Sequence, residues 1–281
     1  MTAMHTLFQA YAVLFGLVFG SFWNVAISRW PDHQSVVVPR SRCPVCATPI
    51  AWHDNVPVLS WLRLRGRCRH CDTPITATYP LIEILGGLLG WLLFARLVPS
   101  TSALDASHIG VWAAYMVLAG CVVIATYTDI RHRIIPDEVS LYAVPVAIGL
   151  AALLELGFGW VGFPAPGWQG AVLGAATGGG FLGAIYLAAR LITGEYALGL
   201  GDVKLTTLIG AFVGPAGVFV VLLIASLLGT IGTLAATVIL RRRVYPPFGV
   251  ALATATVMHL LWAPEITPLL LPGLARFLPA G

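Results

Sequence analysis

The sequence predicts an all-α polytopic membrane fold with one small polar insertion, and three observations carry that expectation. Of the 281 residues 58% are hydrophobic and only 10% charged, where a soluble domain carries about 25% charged residues. The mean hydropathy is +0.86. The apolar residues gather in long stretches, and most reach the roughly 20 residues that a helix needs to cross about 30 Å of hydrocarbon.

Taken in order, the stretches run over 7–28, 80–98, 110–128, 139–157, 168–190, 203–214, 217–240 and 246–263, which predicts about eight transmembrane helices. The stretch 203–214 is short and ends at Gly214-Pro215, so it reads either as a span that begins inside the membrane or as part of a broken helix. No basic residue precedes the first stretch and Arg29 follows it, the reverse of a cleavable signal peptide.

Orientation follows from the basic residues. Arg29, Arg40, Arg42, Arg63, Arg65, Arg67 and Arg69 lie between the first two stretches; Arg131 and Arg133 follow the third, Arg190 the fifth, and Arg241, Arg242 and Arg243 the seventh. With eight spans these fall on one side together with Lys204, leaving only Arg96 and Arg276 opposite, so 14 of the 16 basic residues agree. The positive-inside rule makes that side cytoplasmic and places both termini outside.

Composition divides the chain into a first transmembrane helix (1–28), a polar insertion rich in Arg, Pro and Cys (29–79) and a nearly continuous membrane domain (80–281). The uncharged segment 158–167 reads as an external loop, and the glycine-rich run 174–183 as a helix-packing face. No internal repeat is expected.

Within the insertion, Cys43-Pro-Val-Cys46 and Cys68-Arg-His-Cys71 form two C-x-x-C pairs separated by 21 residues. Two such knuckles offer four thiolates with the spacing that tetrahedral zinc takes. An insertion of some 50 residues with little apolar content beyond 56–61 lacks the core to fold alone, and metal binding would supply the missing stability. Four free or disulfide-paired cysteines are the alternative, and disulfides do not suit a reducing cytoplasm. The expectation is a zinc-knuckle-like cytoplasmic insertion ligated by Cys43, Cys46, Cys68 and Cys71. Cys121, inside the third stretch, reads as a small buried hydrophobe.

Of the twelve acidic residues, four fall within or at the edge of a span: Glu83, Asp129, Glu155 and Asp202. An ionised carboxylate in lipid is costly, which makes each a candidate for function. Asp129 ends the third stretch, and Asp202 stands in Gly199-Leu-Gly-Asp202 at the start of the sixth, on the same face. The two glycines allow close approach or positive φ ahead of the acid. Two neighbouring carboxylates do not both ionise easily, so the pair holds one proton and can act as base and acid together. The competing reading pairs Asp129 with Arg131 or Arg133 and Asp202 with Lys204. Glu83 reads either as a site for a substrate amine or methyl donor or as the partner of a cytoplasmic Arg. Glu155 reads as a snorkelling surface acid, His259 as a packing residue and Asp137 as the N-cap of the fourth span.

G-x-G-D at a membrane face resembles the intramembrane aspartyl proteases. Asp129 placed seven residues before Pro136-Asp137 resembles the type IV prepilin leader peptidase/N-methyltransferase family. So do Gly20-Ser-Phe-Trp-Asn-Val-Ala-Ile-Ser-Arg-Trp-Pro31, the two C-x-x-C pairs, Asp54-Asn-Val-Pro-Val-Leu-Ser-Trp61, Leu64-Arg-Gly-Arg-Cys68 and Tyr79-Pro-Leu-Ile-Glu83, in the family's order over about residues 16–250. The resemblance implies that Asp129 and Asp202 cut a basic leader from prepilins or pseudopilins at the cytoplasmic face of the bacterial inner membrane. It further implies N-methylation of the new terminus with S-adenosylmethionine, associated with the cysteine insertion. Two positions depart from the family pattern: Thr78 where Arg is usual, and Tyr196 where an acid is usual, with Glu195 beside it. The partners expected are prepilin substrates and the lipid bilayer, with no nucleic acid. A peptidase without methylation, and an ion- or proton-coupled transporter with Asp129 and Asp202 as a relay, are the competing functions. The transporter leaves the four cysteines unexplained.

Overall fold

The computed structural model describes residues 3–100, 103–160, 166–194, 198–242 and 247–270. Arg243, Arg276, Glu195, Tyr196 and part of the 158–167 loop lie outside them. Among the described residues the chain is helical apart from loops and two isolated β-bridges. It forms two compact units, Met1–Leu104 and Asp105–Gly281.

In the first unit α1 (Ala3–Arg29) packs against α3 (Thr78–Leu97). Their contact is backbone on backbone. A Cβ on Gly16 would run into the Gly86 carbonyl, one on Gly20 would lie 2.7 Å from Glu83 Cα, and one on Gly90 would lie 2.5 Å from the Ala12 carbonyl oxygen. Ala12, Gly16 and Gly20 thus form a small-residue stripe of i+4 spacing facing Gly86 and Gly90, the close-packing solution available where lipid offers no hydrophobic drive. Buried polar side chains close the pair at both ends. His5 Nε2 lies 2.7 Å from the Val98 carbonyl, and Asn24 Nδ2 donates to the Tyr79 carbonyl at 3.0 Å.

The insertion between these helices does contain a repeat, contrary to the sequence expectation. Residues 42–50 and 67–75 share the pattern Arg-Cys-x-x-Cys-x-Thr-Pro-Ile and fold alike. In each, the first Cys amide donates to the Thr carbonyl (Cys43 to Thr48 at 3.0 Å, Cys68 to Thr73 at 2.9 Å). In each, Arg bridges Pro (Arg42 with Pro49, Arg67 with Pro74), and the residue after the second Cys takes positive φ (57° at Ala47, 54° at Asp72). Between the knuckles, the short α2 (Leu59–Arg63) brings Trp61 over Gly66, and its indole Nε1 donates to the Ile75 carbonyl at 3.0 Å. Trp61 is therefore a core aromatic of the insertion, while Trp52 is exposed.

The second unit is built around α4 (Ala106–His132), about half of whose residues are buried. Asp105 caps it through the His108 amide at 2.9 Å, and Arg133, at φ 56°, ends it by donating its amide to the Asp129 carbonyl. The next span starts as a single turn at Asp137–Val139 and continues as α5 (Ala143–Ala152) and a π-helical turn, Leu153–Gly157. Glu155 does not snorkel: its Oε2 accepts the Trp168 amide at 2.8 Å and so caps α6 (Trp168–Thr193). His259 is fully buried against Gly217, as a packing residue should be.

The helix α7 (Leu200–Leu240) spans 41 residues, which at 1.5 Å per residue is about twice the hydrocarbon thickness. It is not straight. Gly214 takes φ 74° and ψ 175°, followed by Pro215, which has no amide to donate. A Cβ on Gly210 would lie 3.1 Å from Val218 Cγ2, although residues eight apart in a straight helix are about 12 Å apart. The chain therefore doubles back at Gly214. Among the described residues seven helices are long and apolar enough to cross a membrane, against the about eight expected, and α7 supplies both the short sixth stretch and the long seventh as its two legs. The chain is a multi-pass membrane protein. The glycine run on α6 packs on the short leg, Gly174 against Gly210 and Gly178 against Thr206, and the long leg runs beside α8 (Phe248–Leu270).

Substituting a residue at the α1–α3 seam should be costly. Gly86→Leu forces two backbones apart and should lower stability by about 1–3 kcal/mol, read as a fall in Tm of the detergent-solubilised protein. Gly232→Leu, where nothing lies within 4 Å of the new Cβ, should leave Tm unchanged or slightly raised.

Candidate active site

Three helix ends of the second unit meet at Asp129 and Asp202. Asp129 is half-buried in the last turn of α4, and Asp202 is 9% exposed in the first turn of α7. The two carboxylates are close enough to act on each other electrostatically. The ion-pair alternative does not hold. Lys204 Nζ is bonded to Asp137 Oδ1 at 2.6 Å, Arg131 lies over the Tyr127 ring at 5.0 Å, and among the described residues no ion pair reaches either acid. Arg133 supplies a positive field at Asp129 without a salt bridge.

The local sequence explains how the acids are held. Gly199 is the N-cap of α7, and Asp202, at N3, turns its carboxylate back to the Gly199 amide, the geometry of a capping box. Neither Gly199 nor Gly201 has positive φ. Gly201 is needed for room, since a Cβ there would lie 3.2 Å from the Ile135 side chain. Asp129 is faced by the backbone of Gly249 at the start of α8, where a Cβ would lie 2.8 Å from Oδ2. Gly249 escaped the sequence reading. Its one signal is the Pro247-Phe-Gly249 step into the last apolar stretch. Asp137 is not an N-cap either. That position belongs to Pro136, and the Asp137 side chain serves Lys204.

In the first unit, Cys43, Cys46, Cys68 and Cys71 converge, their sulfurs all within 4.8 Å of one another and none in a disulfide. The Cys43–Cys71 and Cys46–Cys68 sulfurs are 3.8 and 4.0 Å apart, close to the about 3.8 Å edge of a tetrahedron with 2.3 Å metal–sulfur bonds. Thr48 and Thr73 hydroxyls sit 3.3 Å from the Cys46 and Cys71 sulfurs. Hydrogen bonds from Thr48 bring the Cys46 thiol down to about 6, and the His70 and Cys71 amides lower Cys68. Thiolate character at neutral pH is what a metal requires, so the cluster can hold one ion. Asp54 braces the second knuckle, accepting from Arg69 Nε at 2.6 Å and Arg63 Nη2 at 2.7 Å. Arg69 first, then Arg63, keeps its carboxyl well below the usual carboxylate range.

Among the described residues Glu83 has no arginine partner. It is 8% exposed on α3, and its Oε2 accepts the Val58 amide at 2.7 Å.

Residues 14–97 match the bacterial peptidase A24 N-terminal domain, and residues 116–234 match the type IV leader peptidase family. Curated relatives include the prepilin leader peptidase/N-methyltransferase of Aeromonas hydrophila, 36% identical over 93% of this chain and 93% of that protein. The protein of the same name from Klebsiella pneumoniae is 34% identical over 78% of this chain and 91% of its own. That from Myxococcus xanthus is 37% identical over 80% and 62%. No solved structure is significantly similar.

Removing the Asp54 brace should loosen the second knuckle. Asp54→Asn is expected to speed amide exchange across residues 52–71 several-fold at pH 7, with the rest of the first unit unchanged. Because the native carboxyl is held low, its contribution is complete above about pH 4, the ordinary carboxylate value. It fades as the pH falls below that, and the Asn variant should lack this step when both proteins are compared with metal saturating.

Proposed function

This chain belongs to the type IV leader peptidase family, and we propose that Asp129 and Asp202 cut the basic leader from type IV prepilins or pseudopilins, after which the chain N-methylates the new terminus. The observation that carries the reading is the meeting of two carboxylates at one membrane face with no counter-ion bonded to either. In the proposed reaction one carboxylate takes a proton from water as the water oxygen attacks the scissile carbonyl carbon. The other, protonated, donates to the carbonyl oxygen. Collapse of the tetrahedral diol breaks the C–N bond and returns a proton to the leaving amine. The Gly199 and Gly249 backbones orient the two acids, and Arg133 adds a positive field that favours the ionised member. A prepilin suits such a site because its apolar helix can lie in the bilayer while its basic leader stays in water.

The distribution of arginine supports a cytoplasmic insertion and catalytic face in the bacterial inner membrane. The four sulfurs are proposed to hold Zn2+, whose role is to tie the two knuckles together. S-Adenosylmethionine, when bound, supplies the methyl group, and residues 29–79, the one sizeable aqueous segment, are the proposed region for so polar a cofactor, with 80–281 as the peptidase domain.

Asp129→Asn and Asp202→Asn should each lower cleavage of a purified prepilin by at least about a thousandfold without loss of Tm. Normal turnover in either rejects the pair, and an uncut precursor with the native chain rejects the peptidase. Asp137→Asn should be far milder. Metal analysis should find about one zinc per chain, reduced by Cys46→Ser, and a folded chain without zinc would overturn that site. With S-adenosylmethionine added, Asp202→Asn should leave the natural precursor uncut and unmethylated yet still methylate a pre-cleaved pilin.

A further inference from the structure

Glu83 is a buried acid that cleavage does not use. It is the sixth residue of a membrane helix, and among the described residues no ion pair reaches it. Its hydrogen-bond partner is the Val58 amide. A carboxylate so placed is costly to keep. The loop that serves it is costly as well. Val58 has φ 60° and ψ −51°, and the Leu59 amide donates to the Pro57 carbonyl at 2.6 Å, which is a γ-turn of the strained hand. A β-branched residue rarely adopts this conformation. Here it aims the Val58 amide at Glu83.

Beside this carboxylate lies a groove of about 280 Å³ lined by Val18, Ser21, Phe22, Val25, Asn55 and Pro57. Its apolar wall is the outer face of α1, where Val18 is 59% and Phe22 44% exposed within a membrane span. Its polar wall is the loop that runs into Val58. Ser21 lines the groove, and its neighbour Gly20 packs against the Glu83 backbone, where a Cβ would lie 2.7 Å from Glu83 Cα. The groove is thus open to lipid on one side and bounded on the other by Pro57, the residue before the Val58 amide that Glu83 accepts.

We infer that this groove receives the free N-terminus of a membrane-embedded apolar peptide, its α-amino group toward Glu83 and its first side chains along Val18, Phe22 and Val25. The inference rests on the reading that a freed N-terminus is the second substrate. Charge complementarity selects the occupant. An α-amine is largely protonated at pH 7 and offers hydrogen bonds that an acetylated terminus lacks, while the chain behind it is as apolar as the wall. A sulfonium cofactor also carries positive charge, but its nucleoside and carboxylate do not suit a lipid-facing surface.

The test is a binding measurement on the full chain in nanodiscs. Two synthetic 20-residue apolar peptides are compared, one with a free amine and one acetylated. Native protein should bind the free amine about tenfold more tightly. Glu83→Gln should bring the two to parity, and Phe22→Ala should weaken both alike. Equal binding of the two peptides by native protein, or a preference that survives Glu83→Gln, overturns the inference. So does a Glu83→Gln chain that loses S-adenosylmethionine binding while keeping the preference, since the carboxylate then serves the donor. Should Glu83→Gln not fold, judged by Tm and zinc content, Glu83→Asp is read instead, and a preference undiminished by the shorter side chain overturns it equally. Because binding is the readout, a native chain that discriminates the amine but never methylates it refutes the methyl-transfer reading and leaves this site standing.

Discussion

Backbone amides and carbonyls inside hydrocarbon have no water to bond, so each must find its partner within the chain. That requirement makes every crossing segment a helix and pushes irregular backbone toward the faces. The break in α7, at Gly214, uses a residue tolerant of positive φ and a Pro that has no amide to satisfy, and the kink in α8, at Trp262, likewise precedes a Pro, Pro264. The same solvent gives helices no hydrophobic reason to associate, and the α1–α3 and α6–α7 seams are accordingly backbone contacts at glycines. One constraint thus fixes the secondary structure, the location of the loops and the composition of the interfaces.

Charge obeys the same economy. Asp129 and Asp202 sit in the last turn of one helix and the first turn of another, where water and backbone amides are in reach. Lys204, two residues from Asp202, is occupied by Asp137. Asp137 thereby withdraws the nearest ammonium from the pair and leaves the two acids to face each other. The positive group that remains, Arg133, acts through space. In the proposed reaction the pair shuttles a proton, which it can do only if no cation neutralises it permanently.

What the sequence revealed and what it concealed follow the range of the interactions. The cysteines, the G-x-G-D acid and the broken sixth segment announce themselves through local spacing, and the structure gathers them as expected. The knuckle repeat is equally local, but the Arg, Thr, Pro and Ile that recur around its cysteines span only nine residues, too short to stand out as a repeat by spacing alone. Gly249, the Val58–Glu83 bond and the cap that Glu155 gives α6 join residues 120, 25 and 13 positions apart along the chain. Nothing in a single sequence pairs such positions. The glycines of G-x-G-D show a subtler limit: the residue type was informative, but room for Ile135, not positive φ, is what Gly201 provides.

The doubled knuckle has a mechanical side. Each half contributes two sulfurs, so neither half can close the cluster alone, and the 21 residues between Cys46 and Cys68 become a loop clamped at both feet. Val58 lies within that loop. A turn of unfavourable hand persists only where its ends are not free to relax, and here both ends are anchored, through Trp61 as well as the sulfurs. A metal bound by the four sulfurs would therefore act as the tensioner of a spring whose tip is the amide at Glu83, bearing on a membrane carboxylate that none of the sulfurs touches.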